Sequence, residues 1–249
     1  RVIVKSVVED AGTSLSALPL STAEEPQAIS PARGNAPVEE HAKERLALEP
    51  VDGQLARDPS RVAAVSETGK LSYAKLDAEV SRLAERLRQR GVRPGVVVGI
   101  CGPWSAGLMS AILAVRRCGA AHAWLDTESP SSDLAQRISA AGTRLVILLK
   151  KAEHIALPAG VSSLFPDRAG NDDSPASLDA TVAADIACVL FTAGASGPPK
   201  AVLVSQAALS ARAVTAASSA GLVAEDRVAL APSNASLEML FGCLLRGAT

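Results

Sequence analysis

The chain has 249 residues, with 25 basic and 26 acidic side chains and 2% aromatics. That length allows one large α/β domain or two small ones, and the near-zero charge balance carries no basic stripe of the kind that grips nucleic acid. So few aromatics leave the core to Ala, Val, Leu and Ile and argue against base-stacking surfaces for single strands.

The four cysteines, Cys101, Cys118, Cys188 and Cys243, are widely spaced in apolar runs. They read as buried thiols of a reducing, cytoplasmic setting. His41, His122 and His154 lie far apart, so no metal site is expected. No apolar run reaches the roughly 18 residues of a membrane span. There is no signal peptide, and the opening Arg1-Val-Ile-Val-Lys5 lacks a Met. The expectation is a chain that begins inside a longer parent or follows processing.

Residues 1–50 read as a linker. Thr13 to Pro50 is rich in Ser, Ala, Pro and Glu, a composition suited to a surface connection rather than a core. Short helices are expected at Val2–Val8 and Val38–Leu48. From residue 60 strands alternate with helices. Arg61–Ser66 reads as a strand, followed by a turn at Thr68-Gly69. Ser72–Gln89 reads as an amphipathic helix, with Leu76, Val80, Leu83 and Leu87 at helical spacing and Gly91 as its stop. Val96–Cys101 is a continuous apolar run, as in a strand covered on both faces. A helix over Trp104–Arg117, a strand over Ala121–Leu125, a helix over Ser131–Ala141 and a strand over Arg144–Leu149 follow. A looser connection spans His154–Ala184. Beyond it come a strand at Ile186–Phe191, a helix at Ser205–Ala220, a strand at Val228–Ala231 and a helix at Ser236–Arg246. This alternation predicts an α/β fold of mostly parallel sheets with helices on both faces, in sub-blocks of about 60–150 and 185–249.

The segment richest in chemistry is Phe191-Thr-Ala-Gly-Ala-Ser-Gly-Pro-Pro-Lys200, between the strand at Ile186–Phe191 and the helix at Ser205–Ala220. Gly194 and Gly197 let the backbone approach a ligand, and successive N–H groups in such a loop cup an anion. Thr192 and Ser196 add hydroxyl donors, and Lys200 adds a mobile positive charge suited to phosphate oxygens. It is not a Walker A loop, because Pro199 precedes Lys200 and Ala201 follows it. The bland alternative is a flexible surface turn.

The segment resembles the phosphate-loop signature of the adenylate-forming family, which includes acyl-CoA synthetases, luciferases and the adenylation domains of nonribosomal peptide synthetases. Phe191, Thr192, Gly194, Gly197, Pro199 and Lys200 match; Ala193 and Ala195 each lack an expected hydroxyl, and Ala201 replaces a Gly. Three more segments resemble the peptide-synthetase branch, in order: Leu71-Ser-Tyr-Ala-Lys-Leu76, Arg117-Cys-Gly-Ala-Ala-His-Ala-Trp-Leu-Asp126 with Pro130 and Arg137, and Asn234-Ala-Ser-Leu-Glu-Met-Leu-Phe241 with Gly247-Ala248. Leu15-Ser-Ala-Leu-Pro-Leu20 resembles the tail of a condensation domain.

The resemblance implies the N-terminal subdomain of an adenylating enzyme over residues 51–249. It implies ATP and Mg²⁺, activation of a small carboxylic acid as an acyl-adenylate, and transfer to phosphopantetheine on a carrier domain. A condensation domain would precede it. By position, Thr192, Gly194, Ser196, Gly197 and Lys200 inherit the phosphate contacts, and Asn234, Ala235 and Glu238 the substrate pocket. Asn234 stands where the family has an Asp that pairs with an α-ammonium. An amide supplies no counter-charge, so an aryl, hydroxy or keto acid suits it better. Gln206 stands where the family often has His. The family's adenine, Mg²⁺ and ribose motifs and its C-terminal Lys lie beyond residue 249, so the expectation is a truncated domain that does not complete the reaction alone. The alternative is a degenerate pseudo-domain serving as a spacer in a megasynthase.

Overall fold

The computed structural model describes residues 8, 10, 12, 14, 53–55, 57–66, 69–127, 129–167, 178, 180–192 and 198–249, with positions 234 and 235 described by backbone alone. The chain divides into two units, Arg1–His41 and Ala42–Thr249. In the first, the Gly12 N–H donates to the Asp10 carboxylate at 2.9 Å. Most of the expected linker and its two short helices lie outside the described residues.

The second unit opens with an antiparallel hairpin, β1 (Val62–Ser66) and β2 (Gly69–Ser72). Ser72 ends β2 and caps α1 (Tyr73–Gln89), its hydroxyl accepting from the Lys75 N–H at 3.3 Å. Leu76, Val80, Leu83 and Leu87 are buried, as their spacing predicts. Gly91, at φ 80°, takes the left-handed turn that releases the chain. Then follow β3 (Val97–Cys101), α2 (Ala106–Arg117), β4 (Ala121–Leu125), α3 (Ser131–Ala140), β5 (Leu145–Leu148), β6 (Ser162–Leu164), β7 (Ile186–Phe191), β8 (Ala201–Ser205), α4 (Gln206–Ser219) and α5 (Asn234–Arg246).

Six strands form one sheet in the order β6-β5-β3-β4-β7-β8, parallel throughout except for β8. The chain steps from β3 to its neighbour β4, then back across β3 to β5. Right-handed crossovers in opposite directions place their helices on opposite faces. Accordingly, the apolar residues of α1, α2, α4 and α5 share one core with Val98, Ile100, Leu145 and Ile147. Leu134 and Ile138 of α3 pack on the other face with Leu125, Val146 and Leu148.

Three expectations are corrected. A strand, β8, stands between the loop and α4; among the described residues it pairs only with β7, and Val202 and Leu203 are 44% and 51% exposed. The connection after β5 contains the short edge strand β6. Val228–Ala231 is not a strand: Val228 donates to Thr249 O and Thr249 to Asp226 O, and the stretch finds no ladder beyond these two bonds. In addition, β7 pairs with β4, so both runs of elements build the same sheet.

Tyr73 carries a test of the core. It is fully buried, its hydroxyl has no partner among the described residues, and burial pushes its pKa up to about 12. A buried hydroxyl without a partner costs about 1–3 kcal/mol. Tyr73→Phe is therefore expected to raise stability by about 1 kcal/mol in urea unfolding; a loss of that size would reveal a hydrogen bond instead.

Candidate phosphate-loop site

The loop is rooted in the β7–β8 hairpin. Phe191 pairs with Ala201, and one rung further the Thr192 N–H donates to Lys200 O at 3.1 Å. The ladder therefore brings Thr192 and Lys200 together at the mouth of the loop, and both are exposed. Gly194, Ser196 and Gly197 lie outside the described residues. The root sits beside the carboxyl end of β4, through the parallel pairs His122–Cys188 and Ala123–Val189. Ligands of open α/β sheets bind at this edge, where crossovers leave on opposite faces.

Further contacts stiffen the edge. The Arg137 guanidinium of α3 lies 5.5 Å from the centre of the Phe191 ring and pairs with Asp133 at 2.8 Å. Trp124 Nε1 donates to Gly102 O at 3.1 Å, and its ring meets Trp104 edge-on at 5.4 Å. The motif that contains Arg137 was legible in the sequence, but its contact with Phe191 was not, since the two are far apart along the chain.

The candidate pocket residues share α5. Asn234 and Ala235 occupy its first turn, which Ser233 caps by accepting from the Ser236 N–H at 3.1 Å. Glu238 lies one turn on, 18% exposed, its carboxylate 2.5 Å from the Arg212 guanidinium of α4. That ion pair meets its charge.

Beneath this helix the sequence reading missed a buried polar group. Arg116, in the last turn of α2, is 4% exposed, donates to Gln206 Oε1 at 3.3 Å and lies 4.9 Å from the Phe241 ring centre. Burial lowers its pKa to about 10, so it stays cationic at neutral pH. His122 is 1% exposed, and its Nδ1 has no partner among the described residues. Burial, reinforced by the Arg116 charge, pulls the imidazole down to about 3. Burial pushes the Cys188 and Cys101 thiols up to about 12. At neutral pH these groups are uncharged and poor bases or nucleophiles. The chemistry open to the exposed loop root is anion binding through Lys200 and Thr192. A hollow lined by Val96, Val97, Gly142 and Arg144 opens at the other end of the sheet, near the amino ends of β3 and β5.

Among the described residues no group of His, Cys, Asp and Glu could hold a metal ion, and no helix is long and apolar enough to cross a membrane.

A doubly wound sheet whose carboxyl edge carries a Gly-rich, Lys-terminated loop defines a nucleotide-type α/β domain. Residues 51–249 match the family of AMP-binding enzymes, and the chain belongs to it. A linear gramicidin synthase of Brevibacillus parabrevis is 33% identical over 83% of this chain and 4% of its own length. AMB antimetabolite synthetase AmbB of Pseudomonas aeruginosa is 32% identical over 61% of this chain and 12% of its own. The chain thus spans a small part of the curated relatives it matches. The AMPPNP-bound structure of the nonribosomal peptide synthetase FmoA3 matches with a TM-score of 0.70 at 27% identity, over 83% of this chain and 22% of that one. The N-terminal subdomain of Klebsiella oxytoca NpsA, in complex with 3-hydroxyanthranilyl-AMSN, shares the fold with a TM-score of 0.67 at 24% identity, over 86% of this chain and 55% of that one. The expected family and fold are borne out: the chain corresponds to the N-terminal portion of a peptide-synthetase adenylation domain.

Proposed function

We propose that this chain is the phosphate-handling front part of an adenylation domain that activates a small carboxylic acid with ATP. In that reaction a carboxylate oxygen attacks the α-phosphorus, the bond to the pyrophosphate oxygen breaks, and an acyl-adenylate forms. A phosphopantetheine thiol on a carrier domain then displaces AMP. Residues 1–50 would connect to a preceding condensation domain. The observation that carries this reading is the hairpin root, which holds Thr192 and Lys200 side by side at the carboxyl edge of the sheet. Lys200 and Thr192, with Gly194, Ser196 and Gly197, would steady the departing phosphates, an electrostatic and positioning role. Asn234, Ala235 and Glu238 would line the acid site. With Asn at 234 and the Glu238 charge met by Arg212, that site favours an acid without an α-ammonium.

A second reading, a degenerate spacer module without ligand, draws on Ala193 and Ala195 in the loop and on the engagement of Glu238 by Arg212. Thermal unfolding with and without Mg·ATP separates the two. Binding to the folded state at about 100 times Kd adds roughly 2.7 kcal/mol, or about 5–10 °C for a domain of this size. The adenylation reading expects that shift, and its loss in Lys200→Ala. No shift at millimolar ATP, together with no pyrophosphate exchange by the synthetase that contains the chain, would leave the spacer.

A further inference from the structure

Arg116 and Arg117 end α2 side by side, and consecutive helical positions point about 100° apart. They serve different neighbours. Arg117 reaches back to α1, with Asp77 at 2.7 Å and Ser81 at 2.6 Å. Arg116 turns inward, to Gln206 of α4 and Phe241 of α5.

Both partners belong to the candidate site's supports. Gln206 directly follows β8, the outgoing arm of the loop hairpin, and its N–H donates to Asp185 O, just before the incoming arm, at 2.8 Å. Phe241 lies one turn beyond Glu238 and two turns beyond Asn234, on the same stripe of α5. Arg116 is therefore the group that touches the base of the phosphate-loop hairpin and the helix of the acid pocket at once.

The packing of α4 on α5 gives such a group something to do. Around Gly242 the two helices approach through small residues: a Cβ there would lie 3.1 Å from Ala213 O and 3.3 Å from the Ala217 Cβ. Small residues let the helices close up there; the Arg212–Glu238 pair and the Arg246–Ser218 bond at 3.2 Å tie their solvent sides, and Arg116 ties the buried side. A planar guanidinium stacked on a ring and bonded to an amide fixes a register. Fold stability by itself does not call for a charge there, since buried ionic groups replaced by apolar side chains of similar volume commonly leave stability unchanged or raised.

We propose that Arg116 is a positioning residue that sets the register of α5, and with it the candidate acid pocket, against the phosphate-loop hairpin. The pocket part of this statement rests on the adenylation reading above. Arg116→Met and Arg116→Lys test it in two arms. The first is amide hydrogen exchange on this chain. Arg116→Met is expected to speed exchange at least tenfold across α5 and the first turn of α4, leaving α1 and β3 unchanged. Unchanged α5 protection, or an equal rise everywhere, overturns the proposal. The second arm is ATP–pyrophosphate exchange by the synthetase that contains the chain, with a panel of aryl, hydroxy and keto acids. Arg116→Met is expected to raise KM for the acid about tenfold while KM for ATP stays within about twofold. Arg116→Lys, which keeps the charge but not the plane, should recover part of that loss. Equal rises in both KM values, or none, overturn the pocket role. If the wild-type synthetase exchanges nothing while the first arm holds, the adenylation reading falls with the pocket role, and the anchoring of α5 stands.

Discussion

Gly102→Ala is expected to lower stability by about 3 kcal/mol. Gly102 follows β3 at φ 157°, a backbone conformation that a side chain strains. A Cβ there would lie 2.6 Å from the Leu149 Cβ and 2.9 Å from its Cδ1. Strain at such φ values costs about 1–3 kcal/mol and overpacking a core about 1–3 kcal/mol more. The Leu149 Cβ is not the far end of a flexible chain, so relief requires backbone movement. Gly91→Ala is the control: its φ of 80° is positive as well, yet nothing lies within 4 Å of the added Cβ. That change is expected to cost only about 1 kcal/mol. Urea unfolding of both variants isolates the collision with Leu149, and equal losses would refute it. Because Gly102 O also accepts from Trp124 Nε1, fluorescence should report the displaced tryptophan in Gly102→Ala alone.

Acid should unfold this protein through His122. Folded, the imidazole is held at about 3, first by burial, then by the nearby Arg116 charge, against a partly opposing bond with the backbone of Ala187. Unfolded, it regains an ordinary value of about 6.5. Between those values the unfolded chain binds one more proton than the folded one, so stability rises with pH across the window and is fully present above about pH 6.5. The slope approaches about 1.4 kcal/mol per pH unit once the unfolded ring is protonated, so a loss on the order of 2 kcal/mol is expected between about pH 6.5 and about pH 4.5, above the range where carboxylates dominate. His122→Leu removes the titrating ring and should flatten that stretch of the stability curve. A slope that survives in the variant would assign it to other groups.

The elements that the sequence predicts well are those whose periodicity is long or whose burial is complete. The stripe of Leu76, Val80, Leu83 and Leu87 specifies α1, and the unbroken run through Val97–Cys101 specifies a strand covered on both faces. Runs of this kind carry their own evidence, because the core selects the same side-chain type at each repeat. The short edge elements did not. Ala201–Ser205 is apolar yet half open to solvent, since an edge strand is specified by its neighbour's free N–H and C=O groups and not by alternation. Val228–Ala231 fails as a strand for the converse reason: its composition suits a sheet, but no neighbour offers a ladder.

The candidate site divides in the same way. Glycines, hydroxyls and a lysine at close spacing in 191–200 marked, from sequence alone, the segment proposed to face an anion, and Asn234 what the proposed acid pocket lacks. Only the tertiary structure decided what holds those parts in place. Arg137 lies against Phe191, Glu238 is met by Arg212, and Arg116 reaches both Gln206 and Phe241. Each of these contacts joins positions far apart along the chain. Local sequence encodes a residue's chemistry and its element's period, whereas the partner of a buried charge depends on how whole helices settle on the sheet.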